Sequence, residues 1–84
     1  MSGPRILVVD DEPQLRKALR RILEGNGYDV REAEDGIDGL RQFESFKPDV
    51  VILDLMLPDA SGVEICSQIR ASSQTPIIIL SVIQ

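Results

Sequence analysis

The sequence has 84 residues, 43% of them hydrophobic, and its 14 acidic and 9 basic side chains give a net charge of −5. This length is enough for one small domain, residues 1–84, whose core lies near the lower limit for a single hydrophobic core. An acidic surface disfavours direct binding to nucleic acid, and the lack of histidine excludes imidazole catalysis and a histidine phosphotransfer module.

The first half of the chain alternates between predicted strands and helices. The run RILVV at residues 5–9 is typical of a strand that is buried on both faces. A helix is then expected from Pro13, which suits a first turn, to Gly25 and Gly27. Its apolar stripe comprises Leu15, Ala18, Leu19, Ile22 and Leu23. Residues 28–33 predict a second strand, and Asp35 is the expected N-cap of a second helix that ends before Pro48.

The second half continues the same alternation. Residues 49–53 predict a third strand, which places Asp54 at its end. Ser61 and Glu64 have the spacing of a capping box for a third helix, with apolar positions at Val63, Cys66 and Ile69. Residues 76–80 predict a fourth strand. This order, with short loops, predicts an α/β fold with a parallel sheet and right-handed crossovers.

Acidic side chains follow two of these strands. Asp10 and Asp11 come directly after the first strand, Asp54 ends the third, and the hydroxyl residue Ser81 ends the fourth. Because ligands of parallel sheets bind outside the carboxyl ends of the strands, we expect these side chains to converge. Carboxylates held together repel one another unless a cation bridges them, and ligands that are all oxygens favour Mg²⁺. A carboxylate in such a site is also a suitable nucleophile for phosphorus.

Together these segments resemble the receiver domain of two-component response regulators. The matching segments are ILVVDDE (residues 6–12), DVVILDLMLPD (49–59), Gly62 and PIIILS (76–81), so the resemblance covers residues 5–81. It implies a flavodoxin-like sheet with strand order 2-1-3-4. The loop after Asp54 and the fourth strand are most similar to receivers of winged-helix transcription regulators, including potassium-responsive ones.

The resemblance also implies a role for each site residue. Asp54 is similar to the phosphoacceptor, and Ser81 to the switch hydroxyl. Asp10, Asp11, Asp54 and the backbone carbonyl of Met56 correspond to the ligands of Mg²⁺, with Asp11 the more direct ligand of the acidic pair. The implied partner is a sensor histidine kinase. In this family it docks on the first helix, where Arg16, Lys17, Arg20 and Arg21 form a basic face.

The sequence departs from the family pattern after the fourth strand. Family receivers have five strand–helix units, and helix 4, strand 5 and helix 5 have no counterpart here, nor does the lysine that ends strand 5. We therefore expect phosphorylation that is slower or a phosphorylated product that is less well held. We also expect self-association, through the exposed edge of the fourth strand or by exchange of elements between chains. The alternative function is a phosphorylation-impaired, truncated receiver that acts as a dimerisation or kinase-binding module. A fragment of a longer regulator would have the same sequence.

Other residues favour less specific interpretations. A lone cysteine at Cys66 on an apolar stripe predicts a packed, inert thiol. With no signal peptide and no apolar run of transmembrane length, we expect a cytoplasmic protein without membrane contact. A phosphohydrolase with an aspartate nucleophile needs a second acid where Met56 stands, and an anionic pocket is a poor phosphate cradle for a flavin carrier. We therefore expect a signalling module and not an enzyme.

Overall fold

The computed structural model describes residues 3–80, which form one four-stranded sheet with helices on both faces. All paired strands are parallel, and their order is β2-β1-β3-β4. The flavodoxin-like order predicted from the sequence is therefore confirmed. The bounds are β1 Arg5–Val9, α1 Pro13–Gly25, β2 Asp29–Ala33, α2 Gly36–Phe46, β3 Val50–Asp54, α3 Gly62–Ser72 and β4 Ile77–Leu80.

Local sequence signals begin and end the helices as expected. The side chain of Asp35 accepts a hydrogen bond from the Asp38 amide at 2.8 Å, and that of Ser61 accepts one from the Glu64 amide at 3.2 Å. After α1 the chain turns through Gly27, whose φ of 90° lies in the left-handed region that favours glycine. Lys47 ends α2, also in the left-handed conformation, so both predicted N-caps and the predicted helix ends are confirmed.

The core consists of two layers, one on each face of the sheet. Successive residues of the central strands β1 and β3 point to opposite faces. On one face they pack with α2 and α3, in a cluster of Leu7, Val9, Ala33, Phe46, Val51, Leu53, Ile65 and Ile69. On the other face Ile6, Val8, Val30 and Ile52 pack against Leu19 and Leu23 of α1. Both faces of the central strands are covered, which explains their continuous apolar runs.

Two apolar stripes differ from the sequence prediction. On α3, Val63 is 67% exposed and Ile65 is buried instead, while Ile69 is buried as expected. On α1 no residue is fully buried, and Ile22 is 60% exposed although it belongs to the predicted stripe. The prediction for Val63 is wrong because α3 packs against α2 through Ile65, whose Cδ1 lies 2.8 Å from where a Cβ on Gly36 would stand.

Candidate functional site

Three carboxylates converge at the carboxyl ends of β1 and β3. One oxygen from each of Asp10, Asp11 and Asp54 lies within 4.8 Å of the other two. Asp10 is almost completely buried, with 3% of its surface exposed, whereas Asp11 is exposed and Asp54 is half-buried. The adjacent parallel strands β1 and β3 end side by side, with Val9 paired to Leu53, and this register brings the acids together.

Backbone amides hold two of these carboxylates. Asp10 accepts a hydrogen bond from the Glu12 amide at 2.8 Å, and Asp54 accepts one from the Met56 amide at 3.1 Å. The amide of Asp10 donates to the Ala33 carbonyl at 3.0 Å, which ties the start of the loop to β2. The buried and half-buried acids therefore have fixed positions, while Asp11 extends from the same loop into solvent.

The electrostatics of the cluster favour a cation. Burial raises the pKa of Asp10, and the charges of Asp54 and Asp11 raise it further, against the lowering effect of the Glu12 amide and the Arg16 charge. Two charged carboxylates that lie within 4.8 Å of each other repel by at least about 1 kcal/mol in full contact with water, and by about 3–4 kcal/mol where water is partly excluded. A bound cation would remove this repulsion.

The loop between β3 and α3, which follows Asp54, is attached at several points. Asp59 accepts hydrogen bonds from two amides at the start of α2, Gly36 at 2.7 Å and Ile37 at 2.9 Å. These two bonds lower the pKa of Asp59. Met56, two residues after Asp54, forms an antiparallel bridge with Ser61, so this loop is closed directly after the acidic cluster. The Asp59 contact was not predictable from local sequence patterns, since Asp59 lies 23 residues from Gly36 and 22 from Ile37.

An ion-pair network joins α1 to β2 beside the acidic cluster. Glu32 accepts hydrogen bonds from Arg16 at 3.1 Å and from Arg20 at 2.8 Å, one on each carboxylate oxygen. Burial alone would raise the pKa of Glu32, but the bonds from Arg20 and Arg16 outweigh it and lower the pKa. Two of the four residues of the predicted basic face are thus engaged within the domain, while Lys17 and Arg21 are exposed.

The remaining predicted site residues have different outcomes. Ser81 lies outside the residues that the structure describes, so its role as a switch hydroxyl stays a prediction. Met56 is next to the cluster through its amide, with a side chain that is 79% exposed, and the ligand role of its carbonyl stays a prediction. Cys66 is half-buried against the core cluster on α3, as expected of a packed thiol.

The donor set fits a hard divalent cation. All three converging side chains supply carboxylate oxygens, without imidazole or thiolate, and such sets suit Mg²⁺. Asp11 is exposed and Asp54 is only half-buried, which suits an ion that keeps several waters and binds through few carboxylates.

Comparison with known proteins agrees with this geometry. The sequence profile of the response regulator receiver domain family matches residues 6–84. The chain is 45% identical over 78 residues to the response regulator MprA of Mycobacterium ulcerans, covering 92% of the chain and 34% of that protein. It is 44% identical over 77 residues to the DNA-binding response regulator MtrA of Mycolicibacterium smegmatis, with the same coverage of 92% and 34%.

The chain belongs to the response regulator receiver family. A crystal structure of the response regulator TrrA of Thermotoga maritima, in complex with Mg²⁺ and BeF, superposes with a TM-score of 0.90 and 41% identity. The superposition covers 98% of this chain and 72% of that one. The receiver spans about a third of the length of the curated relatives that it matches.

Family membership establishes the general function of the domain. Receiver domains act in two-component signalling, and phosphorylation on aspartate and binding of Mg²⁺ are general to the family. The name of the MtrA relative agrees with the predicted similarity to transcription regulators, while the potassium-responsive type stays a prediction. Within residues 3–80, no helix is long and apolar enough to cross a membrane.

Proposed function

We propose that this receiver accepts a phosphoryl group on Asp54, with Mg²⁺ held by Asp10, Asp11 and Asp54. The observation that carries the proposal is the convergence of these three carboxylates within 4.8 Å at the ends of β1 and β3. Asp54 is the only one of the three that lies on β3, and its half-buried carboxylate is accessible to a phosphodonor. The Mg²⁺ complex of the TrrA relative supports the choice of metal.

The proposed step transfers a phosphoryl group from the donor molecule to the carboxylate of Asp54. One Asp54 carboxylate oxygen attacks phosphorus, forming an O–P bond, while the bond from phosphorus to the donor breaks. With a phosphohistidine donor the imidazole nitrogen keeps the electron pair, and with acetyl phosphate the leaving group is acetate. Bound Mg²⁺ would offset negative charge on the phosphoryl oxygens. The chain's own contribution is position: the Met56 amide at 3.1 Å orients the Asp54 carboxylate.

Intact-protein mass spectrometry after incubation with acetyl phosphate and Mg²⁺ tests this function. We expect one phosphoryl adduct, which is absent from Asp54→Asn and absent when EDTA replaces Mg²⁺. Circular dichroism of the same samples verifies that each variant is folded. Lack of an adduct in folded wild-type protein would contradict the proposal and favour a binding module that does not take up phosphate.

The proposed phosphodonor in the cell is a sensor histidine kinase that docks on α1. The exposed basic residues Lys17 and Arg21 supply charges for this contact, whereas Arg20 is engaged with Glu32 and Glu24. Charge reversal at Lys17 and Arg21 is therefore a cleaner test than reversal at Arg20. We expect slower transfer from a kinase and unchanged uptake from acetyl phosphate, and unchanged transfer from the kinase would contradict this docking surface. The cytoplasmic location and the lack of nucleic-acid and membrane contact stay predictions.

Self-association is a second proposal, based on exposed apolar residues. Ile78 and Ile79 of β4 are 53% and 42% exposed, and Ile22 of α1 is 60% exposed. Within the described residues β4 is an edge strand, and an uncharged edge is a template for pairing with a second chain. We expect dimers in light scattering at micromolar concentration and a shift toward monomer in Ile78→Lys. A monodisperse wild-type monomer would contradict the proposal.

A further inference from the structure

We propose that Arg16 is a positioning residue for the acidic pair: its guanidinium fixes the peptide between Asp10 and Asp11 and so directs the exposed Asp11 carboxylate toward the cation. This inference rests on the proposed function, because it concerns affinity for the metal. Neither the composition of the chain nor the basic face of α1 points to such a role.

The contacts of Arg16 differ from those of a solvated surface arginine. Its Nη1 donates a 2.6 Å hydrogen bond to the carbonyl oxygen of Asp10, and its Nε donates at 3.1 Å to Glu32. The Arg16 side chain is only 14% exposed. Its planar guanidinium therefore joins the loop after β1 to strand β2. Because the donors of a guanidinium are held in one plane, little side-chain entropy is lost for each hydrogen bond that it forms.

With the Arg16 contact, both the backbone amide and the backbone carbonyl of Asp10 form hydrogen bonds. The amide donates to Ala33 at 3.0 Å and the carbonyl accepts from Arg16 at 2.6 Å. The carbonyl belongs to the planar peptide that leads into Asp11, so holding it fixes the position of the Asp11 Cα and limits the directions that the Asp11 side chain can take. Groups that hold a metal ligand in this way usually change metal affinity when they are removed.

Arg20 provides a matched control on the same helix. It also donates to Glu32, at 2.8 Å, and to Glu24 on its own helix, at 3.2 Å. Its backbone contact is the Val30 carbonyl at 3.1 Å, within β2 and away from the acidic loop. Removing Arg16 or Arg20 thus deletes one positive charge and one bond to Glu32. Only the removal of Arg16 frees the Asp10 carbonyl.

The test is the dissociation constant of Mg²⁺, measured by calorimetry on the full chain well below the unfolding temperature of each variant. We expect about tenfold weaker binding for Arg16→Ala and a change of less than about twofold for Arg20→Ala. Loss of a positive charge alone would tighten binding of a cation. Weaker binding by Arg16→Ala would therefore come from the lost positioning of the acidic pair and not from the lost charge. Arg16→Lys keeps the charge but not the planar guanidinium, and we expect its affinity to lie between those of Arg16→Ala and wild type.

Several outcomes would overturn the inference. Arg16→Ala could bind Mg²⁺ as tightly as wild type or more tightly, or Arg16→Ala and Arg20→Ala could lose the same affinity. If Arg16→Ala does not fold, Arg16→Lys carries the test, and wild-type affinity in that variant would overturn the inference. If wild-type protein binds no Mg²⁺, the proposed function fails together with the inference. If wild-type protein binds Mg²⁺, the affinities of the variants decide the inference alone.

Discussion

Gly62 is the point at which helix α3 touches the end of strand β3, and its replacement by alanine tests how closely these elements must pack. A Cβ on Gly62 would lie 2.5 Å from the Asp54 carbonyl oxygen and 2.6 Å from the Leu55 Cα. Favourable contacts between carbon atoms are about 3.5–4.0 Å long, so the backbone would have to separate by about 1 Å. The atoms that must move belong to the segment that carries the proposed phosphoacceptor.

The expected cost follows from two opposing terms. Overpacking of this kind destabilises a protein by about 1–3 kcal/mol. The preference for alanine over glycine is about 1 kcal/mol in a helix interior and offsets less than that here, because Gly62 is the first residue of α3. We therefore expect Gly62→Ala to lower the free energy of unfolding by about 1–2 kcal/mol. With an m-value of about 1 kcal/mol per molar urea, the unfolding midpoint would fall by about 1–2 M.

Gly25→Ala is the matched control for this experiment. Gly25 is the last residue of α1, and a Cβ there would meet no heavy atom within 4 Å apart from its chain neighbours and the backbone of its own helix. We therefore expect an unchanged or slightly higher urea midpoint by circular dichroism. Gly62→Ala should also bind Mg²⁺ more weakly, because the displaced backbone carries Asp54. A urea midpoint for Gly62→Ala equal to that for Gly25→Ala would refute the close-packing argument.

Three further predictions concern charge and core packing. Because the pKa of Asp10 is raised, its charge destabilises the metal-free fold at neutral pH. Asp10→Asn should therefore melt at a higher temperature than wild type in EDTA but be stabilised less than wild type by Mg²⁺; a lower melting temperature in EDTA would contradict this. Because the pKa of Asp59 is lowered from 3.8, its contribution to stability is present above that value and is lost as the pH falls through the lowered pKa. Asp59→Ala should thus be less stable than wild type at pH 7, with a difference that shrinks on acidification in urea titrations; a difference independent of pH would contradict it. Leu7 lies in the fully buried centre of β1, and Leu7→Ala should lose about 2–5 kcal/mol of unfolding free energy in the same titrations. Ile37 is 64% exposed, so Ile37→Ala should lose far less. Equal losses in the two variants would contradict the assignment of Leu7 to the core.

The sequence predicted most of the fold because its signals are local. Apolar runs identify the central strands, and Asp35 and Ser61 cap their helices within three residues. The acidic site was predictable for a related reason: in a parallel sheet, residues that follow adjacent strands meet at one edge. Correct prediction of the ends of β1 and β3 was therefore enough to predict that Asp10 and Asp54 lie close together.

The contacts that support the site could not be predicted in the same way. Asp59 contacts Ile37 of α2 across 22 residues and Arg16 contacts Glu32 across 16, and no periodic pattern links these positions. The prediction that Val63 lies on the apolar stripe of α3 was wrong, since Val63 and Ile65 are both apolar and it is Ile65 that packs in the core and against Gly36. Such features depend on tertiary packing, which composition and spacing do not contain.

The most direct test of the central proposal identifies the residue that carries the phosphoryl group. Borohydride reduces an aspartyl phosphate to homoserine, so the chain would be treated with acetyl phosphate and Mg²⁺, reduced, digested and analysed by tandem mass spectrometry. We expect homoserine at Asp54 and unmodified aspartate at Asp10, Asp11 and Asp59. Homoserine at one of those other residues, or at none, would contradict the assignment of Asp54 as the phosphoacceptor.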